Sequence, residues 1–210
     1  MAILVHEGDL PVDVAFGSSV AVDSETMGLS TIRDRLCVVQ LSGGDGDAHL
    51  VRISAAEQVN GERASAPNLS KLLADPTVLK LFHFARFDVA MFLARLGVGT
   101  TPIYCTKIAS KLCRTYTDRH GLKDICRELL GVDLSKVSQS SDWGAESLSQ
   151  AQRDYAASDV LYLHALKEKL DSMLKREGRL DIAQACFDFV PRRAELDVFG
   201  WADTDIFAHS

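Results

Sequence analysis

Up to about residue 83 the chain consists of short apolar runs separated by Gly, Asp, Ser and Pro clusters, and beyond it apolar residues recur at helical spacing. Residues 1–18 read as a lead-in with a turn at Pro11, and a strand follows over about 19–25. Leu36-Cys-Val-Val-Gln-Leu41 and Ala48-His-Leu-Val-Arg-Ile53 flank Gly43-Gly-Asp-Gly46, which predicts a hairpin. Residues 54–67 read as an exposed loop and 67–74 as a short helix stopped by Asp75-Pro76. A strand over 78–83, a helix over 89–96 ended by Gly97, and a brief last strand at 103–104 come next. Helices over 106–116 and 122–130 follow, the second closed by Gly131, and 133–143 is polar and irregular. Ser149-x-x-Gln152 is a capping box opening a helix that runs to about 176 and stops at Gly178. A last helix over about 180–189 leads to Pro191, with a further helical turn before Trp201. Three strands in hairpin order, then strand–helix–strand, then helices, predict an α/β fold: a mixed five-stranded sheet flanked by helices, with C-terminal helices.

Composition narrows the class. A chain of 210 residues with 47% hydrophobic and 25% charged residues suits one globular α/β domain. The N-terminus has no basic region ahead of an apolar run, and no apolar stretch approaches the roughly 20 residues of a membrane span. The expectation is a cytoplasmic protein with no membrane partner. Five cysteines without a C-x-x-C pair read as core thiols of a reducing compartment. The net charge of −6 argues against a long polyanionic partner, though not a small one. Charge is uneven: 105–136 is rich in Lys and Arg, whereas 195–210 has acids and no Lys or Arg.

The candidate chemistry starts at the end of the first predicted strand, Val20-Ala-Val-Asp23-Ser-Glu25-Thr-Met-Gly-Leu29. Side chains two apart on a strand share a face, so Asp23 and Glu25 point to one site. Two acids so placed repel, and a hard divalent cation resolves that conflict. A solvated strand end is the plainer reading of an isolated Asp-x-Glu. Asp88 follows a later strand near a helix start, where it could simply complement the helix dipole. Tyr155 and Asp159 lie four apart on the long helix and face the same way.

Together these segments resemble the three exonuclease motifs of the DEDD 3′–5′ exonucleases: Asp23-x-Glu25, Phe87-Asp88 and Tyr155-x-x-x-Asp159. The tyrosine indicates the DEDDy branch; the histidine of the other branch would fall at Asp154. Ser141-Asp-Trp143 and the run from Leu148 to Leu163 are similar to ribonuclease D. Segments 106–121 and 200–210 are similar to nanoRNase C, a short alphaproteobacterial oligoribonuclease family. Ribonuclease D has further helical domains after its catalytic one, and this chain stops before them. The resemblance implies a ribonuclease H-like exonuclease fold and a single exonuclease domain over 1–210, with a core at about 18–175 and a helical extension and tail at about 178–210. It implies two divalent ions, Mg²⁺ or Mn²⁺, held by Asp23, Glu25, Asp88 and Asp159. Tyr155 would orient the attacking water, and hydrolysis would release nucleoside 5′-monophosphates. It further implies short RNA substrates, diribonucleotides above all, and self-association as a homo-octameric ring.

Thr26, Met27 and Leu29 on the turn after the first strand are candidate contacts to the terminal nucleotide, and His83 to ribose or phosphate. Leu29 could equally be core, and His83 a structural strand-end histidine. Lys107, Lys111 and Arg114 are cations for a 5′-phosphate or a solvated helix face. Trp143 reads as packing. Phe84 stands where many relatives have Asn. Trimming of longer or structured RNA, or exonuclease action on DNA, is the alternative activity.

Overall fold

Strand β2 (Ser19–Thr26) lies inside a six-stranded sheet, in a computed structural model that describes residues 2–135 and 141–209. Its neighbours are β3 (Leu36–Ser42), buried along its whole length, and β5 (Leu79–Phe82). With β1 (Ile3–Glu7), β4 (Ala48–Arg52) and β6 (Ile103–Cys105), the order is β1-β4-β3-β2-β5-β6. β2, β3 and β4 form an antiparallel meander, so the predicted hairpin is present. β5 runs parallel to β2 and to β6, and β1 runs parallel to β4.

Pairing of β2 with β5 stops at Ala21–Leu81, whereas pairing with β3 continues past Glu25. The carboxyl-terminal half of β2 therefore has one open edge. Ligands in open α/β sheets bind at the carboxyl ends of parallel strands, where the strand order switches.

The helices are α1 (Pro67–Ala74), α2 (Ala85–Arg95), α3 (Thr106–Cys113), α4 (Leu122–Leu130), α5 (Gln150–Leu161), α6 (Leu163–Arg176) and α7 (Leu180–Leu196). α5 lies across β1 to β4, while α6 packs on β5 and α7 on β6. One apolar cluster runs from Leu10 to Ala194 through all of them. A second, with Cys37, Val38, Leu50, Trp143, Leu148 and Ala156, joins α5 to the sheet. Four of the five cysteines are buried and all five are free. No helix of the described residues is long and apolar enough to cross a membrane.

Four elements depart from the sequence expectation. The lead-in contains the sixth strand, β1, whose pairing is wholly non-local, from Ile3–Ala48 to Glu7–Arg52. The predicted 150–176 helix breaks at Tyr162 into α5 and α6, with Tyr162 at φ −104°, ψ −3°. α2 starts at Ala85 because Phe84 takes a left-handed conformation (φ 75°, ψ 44°) and turns the chain directly from β5 into the helix. α7 continues through Pro191 to Leu196. An interior proline costs about 3 kcal/mol, which packing on both sides offsets. Phe187, Val190 and Ala194 are buried, with the Phe187 ring 4.6 Å from that of Tyr104. Asp197, just beyond α7, accepts two hydrogen bonds from Arg86 (2.6 and 2.8 Å). Smaller shifts are that α3 ends at Cys113 and that Ala56–Gly61 forms a 3₁₀ turn inside the predicted loop. Of the polar stretch 133–143, residues 136–140 lie outside the described residues.

The lead-in also closes α1. Ala66 at that helix's N-terminus makes no side-chain cap, and the Asp9 carboxylate accepts from the backbone N–H groups of Asn68 and Leu69, both at 2.9 Å. Asp9→Ala is expected to destabilise the protein by about 1–2 kcal/mol, the usual loss for a helix cap. Urea unfolding checks this: a midpoint equal to wild type would show that the cap contributes nothing.

Candidate active site

Asp23 and Glu25 leave the same face of β2 at its open end, and Asp159 approaches from the middle of α5. One oxygen of each lies within 4.8 Å of the other two. α5 is fixed in place by its first turn. The Ser149 hydroxyl accepts from the Gln152 backbone N–H, and the Ser149 backbone N–H donates to the Gln152 side chain at 2.9 Å. That is the predicted capping box, which satisfies helix donors that have no intrahelical partner. Gln152 Nε2 also donates to the Asp142 carbonyl at 3.0 Å and so ties the preceding loop to α5.

Asp88 comes from the first turn of α2 and is buried. It lies outside the tight group of three but close enough to raise the Asp23 pKa. Ser24 holds it, donating to its Oδ1 at 2.6 Å. Ser24 was not among the candidate residues. The alternation was its signal: a residue between Asp23 and Glu25 must point to the opposite face, and that is where α2 supplies Asp88.

The carboxylates share one electrostatic condition. Burial, then Asp88, Asp159 and Glu25, raise Asp23 well above the usual carboxylate range. Burial, then Asp159 and Asp88, push Glu25 up to about 9. Burial raises Asp88 to about 7, opposed by the Ser24 hydrogen bond, and Asp159 to about 7, opposed by the Tyr155 hydroxyl. Tyr155 is itself raised, first by burial and then by Asp159. Among the described residues, no Lys, Arg or His forms a salt bridge with any of the four acids. An all-carboxylate donor set left without a protein cation fits hard divalent ions such as Mg²⁺ or Mn²⁺.

The acids form the floor of a cleft of about 550 Å³, in the range of small-ligand sites. Thr26, Met27, Leu29, His83 and Tyr155 line it, as do Phe84, Lys107, Lys123 and Trp143. Leu29 is 87% exposed, so it is not core. The Thr26 hydroxyl donates to the Gly28 carbonyl at 2.5 Å and shapes the turn. His83 Nδ1 sits 2.9 Å from the Thr106 hydroxyl, and burial together with Lys107 lowers its pKa to about 3, leaving a neutral imidazole. The Lys107 ammonium lies 4.3 Å from the centre of the Phe84 ring.

Arg114 does not face the cleft. It is fully buried, with Nη1 donating to Ser110 and to the Arg119 carbonyl (both 2.8 Å) and Nη2 to Glu128. Its basic charge closes the α3–α4 connection. Lys111 is exposed and also outside the lining, whereas Lys123, not singled out from sequence, is within it. Trp143 packs its ring 6.0 Å from that of Tyr155.

A sheet switch point gathers carboxylates from β2, α2 and α5, with a tyrosine beside the last, in one cleft. The family model described as 3′-5′ exonuclease matches residues 11–175, and the chain belongs to that family. Within it the chain is similar over its whole length to NrnC of Brucella melitensis. It is 56% identical to that protein's Mg²⁺-bound structure (TM-score 0.93) and 57% identical to its structure bound to pGG (TM-score 0.94), with all of each chain covered. Ribonuclease D of Granulibacter bethesdensis is 38% identical over 161 residues, 77% of this chain and 39% of that protein. The chain thus spans about two-fifths of the curated ribonuclease D relatives it matches. Escherichia coli RNase D is 26% identical with a TM-score of 0.72, covering 85% of this chain and 45% of that one.

A carboxyl with a folded pKa above its unfolded value binds its proton more tightly in the folded chain, so stability falls as pH rises between the two values. For Asp88 and Asp159 that window runs from about 4 to about 7, and for Glu25 up to about 9. In EDTA the melting temperature is expected to drop across this range, and saturating Mg²⁺ or Mn²⁺ to restore most of the loss. Scanning fluorimetry measures both; a flat profile that ignores the metal would contradict the electrostatic account.

Proposed function

We propose that the chain is a divalent-metal-dependent 3′–5′ exoribonuclease of very short RNAs, diribonucleotides above all, releasing nucleoside 5′-monophosphates in the cytoplasm. The observation that carries this reading is the convergence of Asp23, Glu25 and Asp159, with Asp88 and Tyr155 beside them, on one small cleft. Three further points support short substrates. The cleft has the volume of a small-ligand site. The net charge of −6 suits a polymer poorly, because polymer affinity comes largely from neutralised phosphates. Brucella NrnC has been captured with pGG, a 5′-phosphorylated dinucleotide.

In this reading Asp23, Glu25, Asp88 and Asp159 hold two Mg²⁺ or Mn²⁺ ions. Bound there, the ions neutralise the carboxylates, lower the pKa of the attacking water and stabilise the leaving 3′-oxygen. The Tyr155 hydroxyl donates to Asp159 and accepts from the attacking water, which it orients toward phosphorus. Met27 and Leu29 pack on the terminal base and Thr26 sets the turn that presents them. His83, neutral, hydrogen-bonds the ribose. Lys107 and Lys123 are placed for a phosphate at the cleft wall.

Asp23→Ala or Asp159→Ala is expected to abolish hydrolysis without loss of fold. Tyr155→Phe is expected to cost roughly 10²-fold in kcat, the scale of losing the orientation of a reacting group. Appreciable turnover by either Asp variant would refute the assignment. Wild type is expected to turn over pGG faster than a ribo-20-mer or duplex DNA; preference for the 20-mer would favour ribonuclease D-like trimming, and for the duplex a DNA exonuclease.

Self-association is part of the same reading. Phe199, Trp201, Ile206 and Phe207 are exposed near the C-terminus, where isolated apolar residues are ordinary but a group of them marks an interface. We take eight as the proposed count, following the ring that the resemblance to nanoRNase C implies. Light scattering is expected to return about eight times the 23.0 kDa chain mass; a monomer in solution would remove the ring from the proposal.

A further inference from the structure

β3 carries two buried polar side chains: Ser42, whose hydroxyl donates to the Asp47 carbonyl at 2.7 Å, and Gln40. Gln40 follows Leu36, Cys37, Val38 and Val39 and precedes Leu41, is wholly inaccessible to solvent, and neither its Nε2 nor its Oε1 meets a hydrogen-bond partner. A buried carboxamide with both ends unpaired costs stability and returns none. Breaks of this kind in an otherwise consistent core concentrate at functional sites.

The register shows what this residue adjoins. In the antiparallel pair of β2 and β3, Gln40 lies directly opposite Asp23, and Val38 opposite Glu25. On the other side of β3, Gln40 lies opposite Leu50 of β4. Directly opposed residues project from the same face with Cβ atoms about 5 Å apart. Gln40 is therefore on the face that carries both acids, one step inward from Glu25. Val38 and Leu50 on that face pack with Ala156 and Leu148 in and beside α5. Leucine or methionine would fill such a place without the desolvation cost.

We propose that Gln40 is a positioning residue for the metal site: its Nε2–H₂ donates to the Asp23 carboxylate when that carboxylate coordinates divalent ions. Groups behind metal ligands fix ligand orientation, and their loss typically costs 10–100-fold in metal affinity. This inference rests on the reading of Asp23 as a metal ligand, and its test separates the two.

The measurements are calorimetric titration with Mn²⁺ alone and melting temperature in EDTA, on wild type, Gln40→Met, Gln40→Leu and Asp23→Ala. For the two Gln40 variants a metal-free melting temperature equal to or above wild type is expected, because the unpaired amide is gone. Mn²⁺ affinity is expected to fall 10–100-fold, with a matching fall in turnover at sub-saturating metal. Wild-type Mn²⁺ affinity in both variants would overturn the role of Gln40 and leave the metal site intact. A lower metal-free melting temperature, or failure of both variants to fold, would assign Gln40 to the core and equally overturn it. Absence of Mn²⁺ binding to wild type, or equal binding to Asp23→Ala, would sink the metal reading itself and this inference with it.

Discussion

Negative charge concentrated at the end of a buried strand is the constraint around which this chain is arranged. At an effective dielectric near 20, two carboxylates about 5 Å apart repel by roughly 3 kcal/mol, and the terms from Asp23, Glu25, Asp88 and Asp159 compound. No side-chain cation of the described residues forms a salt bridge with any of them. The acids stay together because each is fixed by backbone that repulsion alone does not move. Asp23 and Glu25 sit on a strand locked to β3, Asp159 on a helix closed by a capping box, and Asp88 on a helix whose acid is held by Ser24. The geometry is set before any ligand arrives, as electrostatic catalysis requires.

The surrounding fold serves the same end. β2 loses its pairing with β5 after Ala21, which opens the cleft edge. The two-residue connection His83-Phe84 then turns the chain from β5 into α2, with Phe84 at a backbone conformation that non-glycine residues seldom adopt. A gentler turn would start α2 later and move Asp88 away from Ser24. Strained backbone of this kind persists where the neighbouring structure enforces it, and here β5 and α2 are both buried on either side.

Much of this could be read from the residues, for identifiable reasons. The acid spacings are local: i, i+2 on a strand and i, i+4 on a helix fix direction without tertiary information, so Asp23, Glu25, Tyr155 and Asp159 were placed on the right faces. The capping box at Ser149 and the Gly43–Gly46 hairpin are equally local signals. What escaped was non-local. β1 exists because Ile3 to Glu7 find β4 more than forty residues on. The break at Tyr162 has no glycine or proline to announce it, and Pro191 announces a stop that tertiary packing overrides. Arg114 reads as a surface cation by type, and only the fold shows Ser110, Arg119 and Glu128 enclosing it. Gln40 is by type one polar residue in a hairpin strand, and only the register sets it against Asp23.

The electrostatics also bear on what such a cleft can select. Its floor is anionic, and its lining includes two lysines, Lys107 and Lys123. A long RNA lays down a phosphate every nucleotide, and each phosphate beyond the cleft meets a chain of net charge −6 with no neutralising return. A substrate with one scissile phosphodiester and one terminal phosphate makes a different demand. The first requires only that the carboxylates be neutralised by ions, and the second only one or two ammonium groups. The exposed apolar side chains of Met27 and Leu29 can then contribute through the bases, whose faces stack without regard to charge. Under the proposed dinucleotide reading, discrimination by length follows from the balance of charge across the cleft, and that reading requires no blocking wall.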